Sequence, residues 1–142
     1  VLGGYENIDV VNSQGIALSG SYQLTDWLRV SADYAFIDAE SGDGNALRRV
    51  PEHSGDVTFS IDPQGPFSGA ILVRYNGEEP NNEEGDEIVD SWTRVDVTGS
   101  YDLNETVELF GRVENLFDEE YQQILGYGTP DLSGYVGIRL RY

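Results

Sequence analysis

Apolar and polar residues alternate with a period of two along most of the chain, and no window longer than one turn keeps the spacing of a helix. The clearest alternation covers residues 27–39, where one face collects Leu28, Val30, Ala32, Tyr34 and Phe36 and the other collects Arg29, Ser31 and Asp33. The same pattern recurs at residues 13–24, 55–62, 67–78, 92–102, 105–115 and 132–142. It therefore predicts an all-β chain of about seven strands.

The connections between these strands alternate between short and long. Tight turns are predicted at residues 25–26, 63–66 and 103–105, and long, polar, glycine-rich loops at residues 41–53, 79–90 and 116–130. In an antiparallel up-and-down meander every second connection lies at the same edge, so all the long loops would share one edge. Short periplasmic turns opposite long outer loops are typical of outer-membrane barrels. The predicted fold is thus an antiparallel meander that forms part of a transmembrane β-barrel, or a small barrel of its own.

Composition narrows the classes of function. The chain has 26 acidic residues against 8 basic ones, all of them arginine, and a formal net charge of −18. Such a surface repels nucleic acid. The absence of cysteine excludes disulfides and thiolate metal sites. No apolar run approaches the roughly 20 residues of a membrane helix. In membrane strands, however, apolar and polar residues alternate, so low mean hydropathy neither supports nor excludes a membrane barrel.

The charged residues favour a membrane barrel over a soluble sandwich. They fall on the polar faces of the predicted strands, where they would line an aqueous lumen at little cost, whereas an arginine at the bilayer centre costs about 2–4 kcal/mol. Trp27 lies beside a short turn and Trp92 beside a long loop. We therefore expect these two tryptophans in the interfacial aromatic girdles, in contact with membrane lipid.

The last strand ends on an aromatic residue. Counting back from Tyr142 gives Leu140, Gly137 and Tyr135. This pattern is similar to the terminal strand by which outer-membrane barrels are recognised by the barrel-assembly machinery. We therefore predict that this strand docks with that machinery.

Candidate chemistry is sparse. The acidic side chains Glu83, Glu84, Asp86 and Glu87 could hold Ca²⁺, but their spacing matches no known calcium loop, and a solvated charged loop is favoured. His53 is the only histidine and has no cysteine to work with, so we expect a structural role at a strand entry. No catalytic residue or cofactor site is predicted, and the chain is expected not to be an enzyme.

Four segments, in order along the chain, resemble TonB-dependent outer-membrane receptors. They are SGSY at residues 19–22 with LTDWLRVSADY at 24–34, RVPEH at 49–53, NLFDEEY at 115–121, and the closing strand at 137–142. Together they extend over essentially the whole chain. One departure is PDL at residues 130–132, where the family usually has PGR before the final strand.

The resemblance implies a barrel of about 22 strands, with an N-terminal plug that engages an energy-transducing partner. Since nothing here resembles a plug, we expect residues 1–142 to be the C-terminal barrel region of an importer in the bacterial outer membrane. The cargo would be a scarce nutrient such as a siderophore, cobalamin or glycan. The alternative is an independent small β-barrel or β-sheet module used for binding or structure, soluble and homo-oligomeric. In either case, the edge strands need a partner: residues 1–9, another copy or a larger barrel.

Overall fold

Nine β-strands are present in the computed structural model, which describes residues 11–42, 44, 47–82 and 85–142. The strands are β1 Val11–Thr25, β2 Leu28–Ser41, β3 His53–Ile61, β4 Phe67–Asn76, β5 Glu79–Pro80, β6 Ile88–Val89, β7 Trp92–Asp102, β8 Val107–Glu114 and β9 Ser133–Leu140. Within these described ranges, no helix has the length and hydropathy needed to cross a membrane.

Seven of the strands form one antiparallel sheet in the order β1-β2-β3-β4-β7-β8-β9. This arrangement confirms the predicted all-β meander. The remaining strands, β5 and β6, pair only with each other as a two-residue ribbon inside a long loop. That ribbon was missed by the sequence prediction because two residues are too few to show an alternation.

All the long connections lie at one edge of the sheet. They are the first outer loop (residues 42–52), the second outer loop (77–91) and the third outer loop (115–132), and we call this edge the long-loop edge. The short connections at residues 26–27, 62–66 and 103–106 lie at the opposite, short-turn edge. Neighbouring short turns are joined by backbone hydrogen bonds, from Asp62 to Trp27 at 2.8 Å and from Asp102 to Pro66 at 2.7 Å.

One face of the sheet is continuously apolar, because the strand register keeps the apolar positions of all seven strands together. A typical row of cross-strand partners runs through Val30, Phe59, Ile71, Val97 and Val113. Paired positions from the Phe36–His53 row down to the short-turn edge carry no Asp, Glu or Arg on this face. We call it the apolar face. Its side chains are open to the surroundings, as for Val136 at 88% exposure.

Both edges of the sheet lack a neighbour within the described residues. β1 pairs only with β2, β9 pairs only with β8, and every residue of β1 is exposed. In hydrocarbon each unpaired backbone group would cost several kcal/mol, so a sheet that spans a membrane would need a pairing partner at both edges. The expectation that residues 1–9 supply one of them lies outside the described residues.

The two faces of the sheet predict opposite responses to the same substitution. For a sheet that spans a bilayer, Ile71→Arg puts a guanidinium on the middle of the apolar face, and we expect a loss of about 2–4 kcal/mol in the free energy of unfolding. Ala70→Arg, one residue earlier, points to the opposite face, beside Ser60 and Thr98, and should cost little. Denaturant unfolding in lipid vesicles measures both. Equal losses would contradict the assignment of the faces.

Candidate functional site: the polar face and the outer loops

The opposite face, which we call the polar face, carries charges that are mutually paired across β7, β8 and β9. Arg94 contacts Asp96 at 2.8 Å, and Arg112 contacts Glu114 at 3.3 Å. This wall therefore carries charges of both signs that largely neutralise each other. Such a surface suits the water-filled interior of a barrel.

A buried carboxylate lies near the short-turn edge of this wall. Glu108 is 3% exposed. It accepts hydrogen bonds from Arg139 at 2.8 and 2.9 Å and from Arg141 at 2.5 Å, while Arg141 also contacts Asp102 at 3.0 Å. Two guanidinium partners compensate the buried charge, which is the condition for burying a carboxylate without a large penalty. The cluster ties β7, β8 and the end of β9 together.

Tyr135 and Gly137, of the predicted assembly strand, lie on the polar face of β9. The Arg112 guanidinium lies 4.8 Å from the centre of the Tyr135 ring. Gly137 is paired with Phe110, whose ring occupies the space that a Cβ at residue 137 would need, and the Arg139 guanidinium lies 5.3 Å from the centre of that ring. These contacts give Tyr135 and Gly137 a local packing role that the sequence reasoning did not foresee.

Leu140 and Tyr142 complete the predicted assembly strand. Leu140 pairs with Val107 on the apolar face, and Tyr142 follows the end of β9 and is fully exposed. The Arg141 amide donates to the carbonyl of Thr106 at 2.8 Å, so the end of the strand lies at the short-turn edge. Docking of this strand with the barrel-assembly machinery stays a prediction.

Asn115 organises the start of the third outer loop. It is 1% exposed and has a positive φ of 54°, a conformation that Asn tolerates better than most residues. Its side-chain amide donates to the carbonyls of Glu119 and Pro130, and its side-chain oxygen accepts from the Glu119 amide at 2.9 Å. The Leu132 amide donates to Asp118 at 2.8 Å. The NLFDEEY segment is therefore a loop clamp that joins both ends of the third outer loop.

Tyr121, at the end of this segment, fixes the third outer loop to the polar face. It is 7% exposed, its ring lies 4.6 Å from that of Trp92, and its hydroxyl accepts a hydrogen bond from Arg94 at 2.9 Å. Val89, from the second outer loop, is also buried, at 2% exposure. Among the described residues, Val89, Trp92 and Tyr121 are the only buried hydrophobic side chains. The small hydrophobic core of the described residues therefore lies at the long-loop edge.

Trp92 differs from its expected place in an interfacial girdle. It is 5% exposed and lies on the polar face with Arg94 and Asp96, two and four residues later. The physical reason is that strand alternation gives these three residues the same side, where Trp92 is covered by Tyr121 rather than by lipid. Trp27 lies at the short-turn edge and is 46% exposed, and its girdle role stays a prediction.

The apolar face has a group of aromatic residues near the long-loop edge. Tyr34 and Tyr75 flank Gly55 in one cross-strand row, and His53 lies in the next row, opposite Phe36. The Tyr34 hydroxyl and His53 Nδ1 are 2.7 Å apart. Amphipathic rings at this level are typical of a membrane interface. His53 opens β3, so it lies at a strand entry as expected, and its structural role stays a prediction.

The proposed calcium ligands can be followed only in part, since Glu83 and Glu84 lie outside the described residues. Asp86 and Glu87 accept hydrogen bonds from the side-chain amides of Asn82 and Asn81, at 2.5 and 2.9 Å. Over the ranges that the structure describes, no group of three or more metal-ligating side chains occurs.

The second and third outer loops meet above the sheet. The Leu125 amide donates to the Asn81 side-chain oxygen at 3.3 Å. A cavity of about 490 Å³ lies between the two loops and is lined by Val89, Ser91, Tyr121, Gln122 and other residues from both. The loops therefore form a joint outer surface with a pocket of the size that holds small molecules.

Comparison with known proteins identifies the class. Residues 3–116 match the family described as "TonB dependent receptor-like, beta-barrel", which covers most of the chain. The chain belongs to this family of outer-membrane receptors. Its strands are therefore those of a transmembrane β-barrel in the bacterial outer membrane, as the resemblance implied.

Individual relatives carry different cargoes. The chain is 36% identical over 123 residues to the metal-pseudopaline receptor CntO of Pseudomonas aeruginosa (strain UCBPP-PA14), an alignment that covers 78% of the chain and 17% of that receptor. It is 31% identical over 118 residues to the vitamin B12 transporter BtuB of Vibrio vulnificus (strain YJ016), with 82% and 18% covered. The siderophore receptor PiuA of Acinetobacter baumannii has the same fold, with a TM-score of 0.78 at 19% identity and 93% and 22% covered. The chain thus spans about a fifth of these proteins.

Removing the Asn115 amide should release the third outer loop. Asn115→Ala in the full receptor removes the part-buried hydrogen bonds to the backbone of Glu119 and Pro130, each at a cost of about 0.5–1.5 kcal/mol. We expect faster amide hydrogen exchange in residues 116–131, measured by mass spectrometry. As a control, Asn104→Ala removes a similar side-chain cap in a short turn and should affect only residues 103–107. Unchanged exchange in the third outer loop would refute the clamp.

A second prediction concerns the fit of Phe110 against Gly137. Gly137→Ala places a Cβ less than 3.0 Å from the end of the exposed Phe110 ring, so the ring must shift and the variant receptor should lose about 1 kcal/mol of stability, the lower end of overpacking costs. Phe110→Ala in the same molecule should recover part of this loss, because the two sites share one space. Denaturant unfolding of both single variants and the double variant measures the coupling. Strictly additive effects would contradict a direct contact.

Proposed function

We propose that this chain is the C-terminal part of the barrel of a TonB-dependent importer, and that it supplies a section of lumen wall and three outer loops. The observation that carries the proposal is the segregation of faces across seven strands. One face has no charged residue below the Phe36–His53 row, while the other carries the ion pairs. A soluble module has no reason to expose an uncharged face of this extent.

The geometry of the loops supports a role in ligand capture. The third outer loop is clamped by Asn115 and held to the wall through Tyr121. The second outer loop contacts it through Asn81. Fixed loops above a polar wall lose little conformational entropy when a ligand binds, which favours affinity. The full protein would take up a scarce nutrient of the kind its relatives carry, such as a metal chelate, a siderophore or cobalamin.

The partners of the full receptor follow from the same proposal. Lipid would cover the apolar face, and further barrel strands would pair with β1 and β9. The energy-transducing protein TonB would act through a plug located elsewhere in the receptor. The barrel-assembly machinery would recognise the strand that ends at Tyr142. Homo-oligomerisation has no specific support in the described residues.

Energy dependence tests the proposal. The full receptor gene is expressed in a host that lacks its own receptors for iron chelates and cobalamin, with and without the host gene for TonB. We expect labelled ferric siderophore or labelled cobalamin to bind the cells in both hosts but to enter only when TonB is present. A receptor that has lost residues 11–142 serves as the control and should not reach the outer membrane. Uptake that is equal in the two hosts would reject the importer.

A further inference from the structure

Four charged residues form one row across the polar face, near the long-loop edge. Asp33, Asp56, Arg74 and Arg94 are successive cross-strand partners on β2, β3, β4 and β7. The row sets Asp33 directly opposite Asp56, and Arg74 directly opposite Arg94. Like charges that face each other across strands destabilise a sheet. Between them, Asp56 lies directly opposite Arg74, so the row combines two unfavourable like-charge contacts with one favourable contact.

The pairing of the charged side chains differs between the two halves of the polar face. On β7 to β9, ion pairs hold Arg94, Arg112, Arg139 and Arg141. Across the described ranges, by contrast, Asp33, Asp56 and Arg74 make no side-chain hydrogen bond or ion pair. Asp33 and Arg74 are exposed and Asp56 is half-buried. Among the residues that the structure describes, their capacity for hydrogen bonds is therefore unused.

These three unpaired side chains line one cavity. Its volume is about 450 Å³, and Ser19, Ser54 and Asn76 add hydroxyl and amide groups to its lining. Small-molecule sites occupy about 300–1,000 Å³, so the depression has room for part of a ligand. It extends up to Asn76, the last residue of β4, at the level where a ligand that has passed the outer loops would first meet the wall.

We propose that this cavity binds a zwitterionic group of the imported ligand. The ammonium end would lie against the carboxylates of Asp33 and Asp56, and the carboxylate end would accept hydrogen bonds from the guanidinium of Arg74. A guanidinium fork matches a carboxylate in geometry, and charge-assisted hydrogen bonds of this kind are the strong ones. The inference rests on the proposed function, since it names the chemistry of the ligand that the importer would carry.

Chemical protection of Arg74 tests the site. The full receptor in lipid vesicles is treated with the arginine reagent phenylglyoxal, and the modification of each arginine is followed by peptide mass spectrometry. We expect γ-aminobutyrate, a small zwitterion, to halve the rate at Arg74 when its concentration equals its dissociation constant. Butyrate and butylammonium at the same concentration should protect less. Arg29 is on the same face near the short-turn edge and, within the described ranges, hydrogen-bonds only to Gln23, so its rate should not change and it is an internal control.

Two variants separate recognition from general shielding. In Asp56→Asn, γ-aminobutyrate should protect Arg74 no better than butyrate does, because the ammonium has lost its nearest carboxylate. In Asp26→Asn, which changes an acid in a short turn, the preference for the zwitterion should persist. Equal protection by all three probes, or by none, overturns the proposal. An Arg74 that does not react in the ligand-free receptor also overturns it, because another part of the receptor then fills the cavity. The readout does not depend on import, so failure of TonB-dependent uptake remains a separate result.

Discussion

The pairing of every backbone group in a medium without water is the constraint on which this structure depends. In hydrocarbon, strands satisfy it only in a sheet whose edges are all paired, and the alternation of side chains then creates two faces with different solvents. The register of the seven strands keeps positions such as Val30, Ile71 and Val97 together on the lipid side. A shift by one residue would turn Arg29 or Arg74 outward. The same requirement therefore determines both the register of the strands and the face on which the charged residues lie.

The local sequence predicts the regular parts of the fold, namely the strands and the alternation of short and long connections. Alternation placed Leu28 and Arg29 on opposite faces, and turn composition placed the long loops at one edge. The same alternation places Trp92 on the face of Arg94, which is the face it occupies in the structure. The position of Trp92 beside a long loop suggested an interfacial girdle instead. What the sequence could not supply is the tertiary cover, because Tyr121 reaches Trp92 only after the third outer loop folds back over the wall.

The site was less predictable than the fold, for a physical reason. The row from Asp33 to Arg94 depends on the register between four strands, and a carboxylate in one strand carries no signal about which residue lies opposite in the next. The role of Asn115 was likewise hidden, because its partners Glu119 and Pro130 lie in an irregular loop. The NLFDEEY segment was noted for its family resemblance alone. In the structure, this segment joins the two ends of the third outer loop.

The meander also determines how the barrel can be built over time. Every ladder in the large sheet joins strands that follow each other along the chain, with only the β4 to β7 step interrupted by a loop that carries its own small ribbon. Pairing can therefore spread hairpin by hairpin, and loop-closure entropy stays low at each step. Only the meeting of the first and last strands of the complete barrel joins distant segments. That single closure would be the step at which assembly is most sensitive to a competing strand.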